Sequence, residues 1–179
     1  QVFVRMGRPA ISRTNPDYDA FAMLVQILGG QGDFESRLWQ ELRQKRGLVY
    51  GVGADLNSNA SRGDVSVSLS ANSANVMQSV KIVRGQLELL QRQPVSPTEL
   101  LEARTRLVNS ALLSEESISG QADELQNIAV NDLPLNYYQT PAQRYDSVTA
   151  KDTQRVAKKY LRSDKLIENF TGPPGPWSH

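Results

Sequence analysis

The chain has 179 residues, with 20 basic and 19 acidic side chains and no cysteine. A domain of that length buries roughly 70% of the surface its unfolded chain exposes, so it needs no disulfide or metal staple. Near-zero net charge supplies no field to draw in nucleic acid or an anionic membrane, the missing cysteines exclude thiol chemistry in any compartment, and no apolar run approaches the ~20 residues of a membrane span.

Gln1 already stands inside a predicted strand, with no initiator Met and no leader, as expected of a piece of a longer polypeptide. That strand alternates Val2 and Val4 with Phe3 and Arg5 and is expected to run about six residues before a loop through Pro9 and Arg13. Asn15-Pro16, with Asp17 and Asp19 behind it, predicts a helix start with Asn15 as cap. Phe21, Leu24, Val25 and Leu28 follow at helical spacing, and Gly29-Gly30 stops the run. After the loop Gln31 to Glu35, Leu38 and Leu42 lie four apart on a second helix, with Arg37, Glu41, Gln44 and Lys45 pointing elsewhere and Gly47 as breaker.

Leu48 to Asn57 and Asp64 to Ala71 read as strands joined by the turn-rich NSNASRG, an antiparallel hairpin with one wet face. The second half is helical. Val76, Val80, Val83, Leu87 and Leu90 define a long amphipathic helix with Ser73 as expected cap. Ser96-Pro97-Thr98-Glu99 is a capping box opening a helix expected to break near Ser119-Gly120 and resume to about Val130. Thr140-Pro141 starts a short helix, and Thr149 to Asp152 is a second capping box. Together these predict an α+β fold, helices on one face of a mostly antiparallel sheet, in a single domain over residues 1–165. Residues 166–179 are expected to form a last short strand or an irregular tail.

Several chemistries are closed. The one histidine, His179, is the last residue, so neither a His/Cys zinc site nor a Ser/His/Asp or Cys/His nucleophile is available from this chain. Glu115-Glu116 reads as solvated surface rather than a metal pair. Gly29 to Gly32 follows a helix and lacks the Lys-Ser/Thr of a phosphate loop. Arg37, Arg43, Lys45 and Arg46 form a basic stretch, but the interspersed Glu35 and Glu41 favour a solvated face over nucleic acid. Arg43 and Tyr50 flank the helix-to-strand turn, with Tyr50 expected to share a strand face with Leu48 and Val52. They read either as a polar pair at a cavity wall or as a core-edge Tyr and a solvated Arg. Phe34 and Trp39 read as core or as an interface.

Leu28-Gly29-Gly30, Ser36-Arg37-Leu38, Gln40-Glu41-Leu42-Arg43 and Arg46-Gly47-Leu48-Val49-Tyr50, with Asn15-Pro16-Asp17-Tyr18 ahead of them, resemble the C-terminal half of the pitrilysin/insulinase superfamily. These zinc metallopeptidases carry an inverted His-x-x-Glu-His motif and are relatives of mitochondrial processing peptidase. The resemblance implies a clamshell of two homologous halves, one carrying zinc and a catalytic Glu, in the same chain or in a separate subunit. It implies that this chain binds no zinc, that the zinc sits on the partner half, and that a peptide is the substrate. Arg43 would hold substrate carbonyls and Tyr50 the scissile carbonyl as it becomes an oxyanion. A catalytically inert scaffold or a peptide-binding module of the same fold is the alternative. The compartment stays open, a bacterial periplasm and a cytoplasm alike.

Overall fold

Strict alternation builds the sheet. In the computed structural model, which describes residues 1–30, 32–175 and 177, β1 (Val2–Ala10) buries Val2, Val4 and Met6 and leaves Phe3 and Arg5 exposed. β2 (Val49–Ser58) and β3 (Gly63–Ala71) form the expected hairpin, and β3 turns Val65, Val67, Leu69 and Ala71 inward. β4 (Ile167–Thr171) pairs with the far side of β1. The order is β2-β3-β1-β4 with every neighbour antiparallel, and helices cover only the inner face. This is the α+β arrangement that the hydropathy pattern predicts.

β1 runs nine residues rather than six, because Pro9 and Ala10 still oppose Asp64 and Gly63. Read alone, β4 is a poor strand on account of Glu168. In place, Glu168 accepts two hydrogen bonds from the Arg84 guanidinium on a neighbouring helix, at 2.7 and 3.2 Å, so the chain's own partner supports the acid. His179, Ser178, Pro176 and, in the loop after the first helix, Gln31 lie outside the described residues.

Helix α1 (Tyr18–Gly29) lays Phe21, Leu24, Val25 and Leu28 on the sheet. It starts later than expected. Asn15 Oδ1 accepts from the Asp17 backbone N–H at 2.9 Å, which makes residues 15–17 a turn and leaves Asp17 at the cap position with no capping bond from its side chain. The stretch after the loop differs from the expected α-helix. Trp39–Gln44 is a π-helix, with Lys45 N–H donating five residues back to Gln40 at 3.0 Å, and Leu42 still buried.

Helix α2 (Val76–Arg92) buries the five predicted positions, but its approach is a short 3₁₀ turn at Ser73–Asn75 capped by Asn72, not Ser73. Both capping boxes form, opening α3 (Pro97–Glu115) at Ser96 and α6 (Ala150–Tyr160) at Thr149. The break after α3 falls at Glu116 and Ser117 rather than at Ser119-Gly120. Ser117 Oγ accepts from Gly120 N–H and so starts α4 (Ile118–Asn131). The short α5 (Pro141–Asp146) begins at Pro141 as expected.

The side chain that Asp17 does not spend on capping bolts α1 to α6. It accepts from Arg155 at 2.5 Å, Tyr160 at 2.7 Å and Lys159 at 3.1 Å, and Tyr160 in turn packs its ring 5.2 Å from Phe21. Burial pushes the Asp17 carboxyl up, but the three hydrogen bonds outweigh it and lower the group to about 2. Because the folded carboxyl lies below its usual value of 3.8, its stabilisation is complete above that pH and is lost as pH falls through about 2. Asp17→Asn is expected to lower unfolding stability by about 2 kcal/mol at pH 7. In urea titrations the gap from the native chain should close between about pH 4 and pH 2; a gap that does not change with pH would contradict this account of Asp17.

Candidate functional site

The stretch from Gly29 to Tyr50 is fixed at several points before it reaches the sheet. Asp33, buried in the loop, accepts from Gln26 Nε2 at 3.1 Å and Glu35 N–H at 3.0 Å and pairs with Arg106 at 3.1 Å. Arg37 is not solvated as its helix pattern suggested. It donates to Glu99 at 2.5 and 3.1 Å, a bidentate pair joining the π-helical stretch to the capping box of α3. Burial pushes Glu99 up, yet the bonds from Arg37 and Ser96 lower it overall. Lys45 and Arg46 both engage Glu41 on the exposed face. Phe34 is exposed and stacks edge-on at 4.8 Å against Trp39, which is half-buried with its Nε1 out of contact with solvent.

Gly29 makes the closest approach in this region. A Cβ there would meet the Ala54 backbone nitrogen at 3.0 Å and the side chains of Ala54 and Leu38 at 3.1 Å, so any larger residue would have to push the end of α1 away from β2. Gly47 serves differently. At φ 61 it adopts the left-handed conformation that turns the π-helical stretch into β2, with open space around it.

Beyond that turn Arg43 reaches the residue next to Tyr50. The Arg43 guanidinium donates to the carbonyl of Val49 at 2.9 Å, the residue adjoining Tyr50. Tyr50 itself departs from the expected alternation. Val49 opposes Ala71 and Gly51 opposes Ser70, so Tyr50 is the extra residue of a β-bulge. Val52 opposes Leu69 on the inner side, whereas Tyr50 is 57% exposed and its hydroxyl has no partner among the described residues.

The bulged tyrosine stands at one end of the sheet's uncovered outer face. That face is floored by small polar residues and glycines: Gly51 and Gly53 on β2, Ser66, Ser68 and Ser70 on β3, with Asn169 and Thr171 on β4. A shallow cavity of about 470 Å³ crosses all four strands and reaches Gly51, the residue after Tyr50, though Tyr50 itself does not line it; Phe3 and Arg5 bound it. A phenol and a guanidinium next to an open floor can donate hydrogen bonds to carbonyl oxygens. Among the described residues no group of three or more metal-ligating side chains converges, and no helix is long and apolar enough to cross a membrane.

Residues 1–107, which include Arg43, Tyr50 and three of the four strands, match the family model described as the peptidase M16 inactive domain. The chain belongs to that family. A solved peptidase M16 inactive domain from Pseudomonas fluorescens superposes with a TM-score of 0.86 at 28% identity, covering 97% of this chain and 41% of that one. Among curated relatives, a Streptomyces coelicolor protein described as an uncharacterized zinc protease is 28% identical over 169 residues, 90% of this chain and 35% of its own length. A Helicobacter pylori protein described as a non-peptidase homolog is 28% identical over 173 residues, 93% of this chain and 38% of its own. The chain spans about a third of the length of these relatives. This M16 inactive domain is thus a non-catalytic part of a zinc protease fold.

The two glycines give a test of how the site is held. Gly29→Val forces a side chain against β2 backbone and should cost about 3 kcal/mol or more, whereas Gly47→Ala meets no atoms and should cost only about 1 kcal/mol of left-handed strain. Denaturant unfolding of the two variants should show that order, and the reverse order would refute the close-approach argument.

Proposed function

We propose that this M16 inactive domain is the substrate-binding, non-zinc half of a zinc metalloendopeptidase, and that Tyr50 stabilises the scissile carbonyl while Arg43 orients the peptide backbone. The observation that carries the reading is the bulge at Tyr50. It turns a phenol with no internal partner out of the strand, beside an uncovered floor and next to an arginine anchored on Val49. A tetrahedral oxyanion needs donors held in place before the charge develops, and a bulged residue on a sheet is such a fixed donor.

In this reading the zinc and the water it activates are supplied by a homologous half, fused or separate, and peptide cleavage requires both. The relative from Streptomyces, described as an uncharacterized zinc protease, supports that assignment of the metal. An apolar set on the α3 and α4 hairpin, with Leu112, Leu113, Ile118, Leu125 and Val130 all exposed, supports work with a partner rather than alone. The Helicobacter relative, described as a non-peptidase homolog, favours a second reading in which the same fold is kept as a catalytically inert scaffold.

Tyr50→Phe distinguishes the two. It should leave folding and assembly intact and reduce turnover by the assembled enzyme roughly ten- to a thousandfold, mainly in kcat. Unchanged turnover would remove Tyr50 from the mechanism and favour the scaffold.

A further inference from the structure

At the far end of the outer face, away from Tyr50, lies a second and larger cavity of about 670 Å³, bounded by β1, the β2–β3 turn and β4. Two exposed arginines reach it, Arg5 from β1 and Arg62 from the hairpin turn, and neither forms a salt bridge among the described residues. Among those residues Arg5 donates only to the hydroxyl of Ser66, at 3.2 Å, and the Arg62 guanidinium has no partner. Arg8 also borders the cavity, but it opposes Val65, so its guanidinium lies on the inner side of the sheet and faces away from the cavity. The one acid in the lining, Asp64, accepts from Asn57 at 3.3 Å.

We infer that this cavity is an anion subsite for a carboxylate of the bound peptide, an acidic side chain or the terminal carboxylate. The inference rests on the peptide-binding reading above and adds a substrate class to it. Guanidinium forks match carboxylates in shape and charge, and Asp64 in the same lining suits a single carboxylate better than a polyanion. The two cavities share Arg5 and Asn169, so the floor is continuous from one end of the sheet to the other. Tyr50 and Asn57 are seven residues apart along β2, or about 23 Å. An extended peptide with its scissile bond at Tyr50 therefore brings a carboxylate about seven residues away to the arginines.

Fluorescence anisotropy with this chain and labelled ten-residue peptides tests it at low salt. One peptide carries Glu near one end with an amidated terminus, a second has Gln there and an amidated terminus, and a third has Gln and a free terminal carboxylate. The native chain should bind one or both carboxylate peptides about tenfold tighter than the neutral one, and which of them gains identifies the carboxylate's source. Arg62→Gln, at a position outside the lining of the cavity near Tyr50, should largely abolish the preference and leave affinity for the neutral peptide unchanged. Equal binding of all three by the native chain, or a preference undiminished in Arg62→Gln, overturns the anion subsite and leaves the Tyr50 reading standing. Failure to bind any of the peptides overturns both.

Discussion

The whole arrangement depends on burying one face of a four-stranded sheet and leaving the other bare. Val2, Val4, Met6, Val65, Val67 and Leu69 interlock with Phe21, Leu24 and Leu28 of α1 and with the faces of α2 and α6, in one continuous core. Each of these aliphatic side chains contributes on the order of 1.5–3 kcal/mol when fully buried, enough to fix strand register against a one-residue slip that would invert both faces. Because the inner face carries that stability, the outer face can be rich in serine, glycine and asparagine, with Phe3, Arg5 and Ile167 among them, and carry no layer over it.

Rigidity is then delivered to the edge of the bare face. The contact of Gly29 with Ala54 sets the end of α1 on β2, and the Asp33 cluster and the Arg37–Glu99 pair hold the chain between them. Gly47 turns the chain, and the Arg43 bond to Val49 closes the turn. A bulge at this point costs one register step and gains one outward-facing side chain, Tyr50.

Most of the fold was legible because its signals are local. Period-two hydropathy gave β1 and the hairpin, and the capping boxes at Ser96 and Thr149 gave two helix starts to the residue. What escaped was set by partners distant in sequence or by one-residue insertions. Arg37 reads as solvated until Glu99, 62 residues on, is in place, and Glu168 weakens its strand until Arg84 meets it. The π-helix at Trp39–Gln44 and the bulge at Tyr50 each shift a register by one, which no hydropathy period records. At the site, Arg43 and Tyr50 were legible as a pair flanking a turn; the outward aim of Tyr50 was not, since alternation alone put it with Val52. The arginines of the second cavity come from β1 and the hairpin turn and meet only when the sheet is paired.

The central claim is that this domain completes a peptide-cleaving site on another half. The most direct measurement is hydrolysis of a quenched peptide library by a homologous zinc-bearing half, followed as this chain is added. The account predicts negligible cleavage at the start and a rate that rises with added chain and saturates at one-to-one stoichiometry. A zinc-bearing half that cleaves equally well without this chain, or a pair that associates and stays inert, would contradict it.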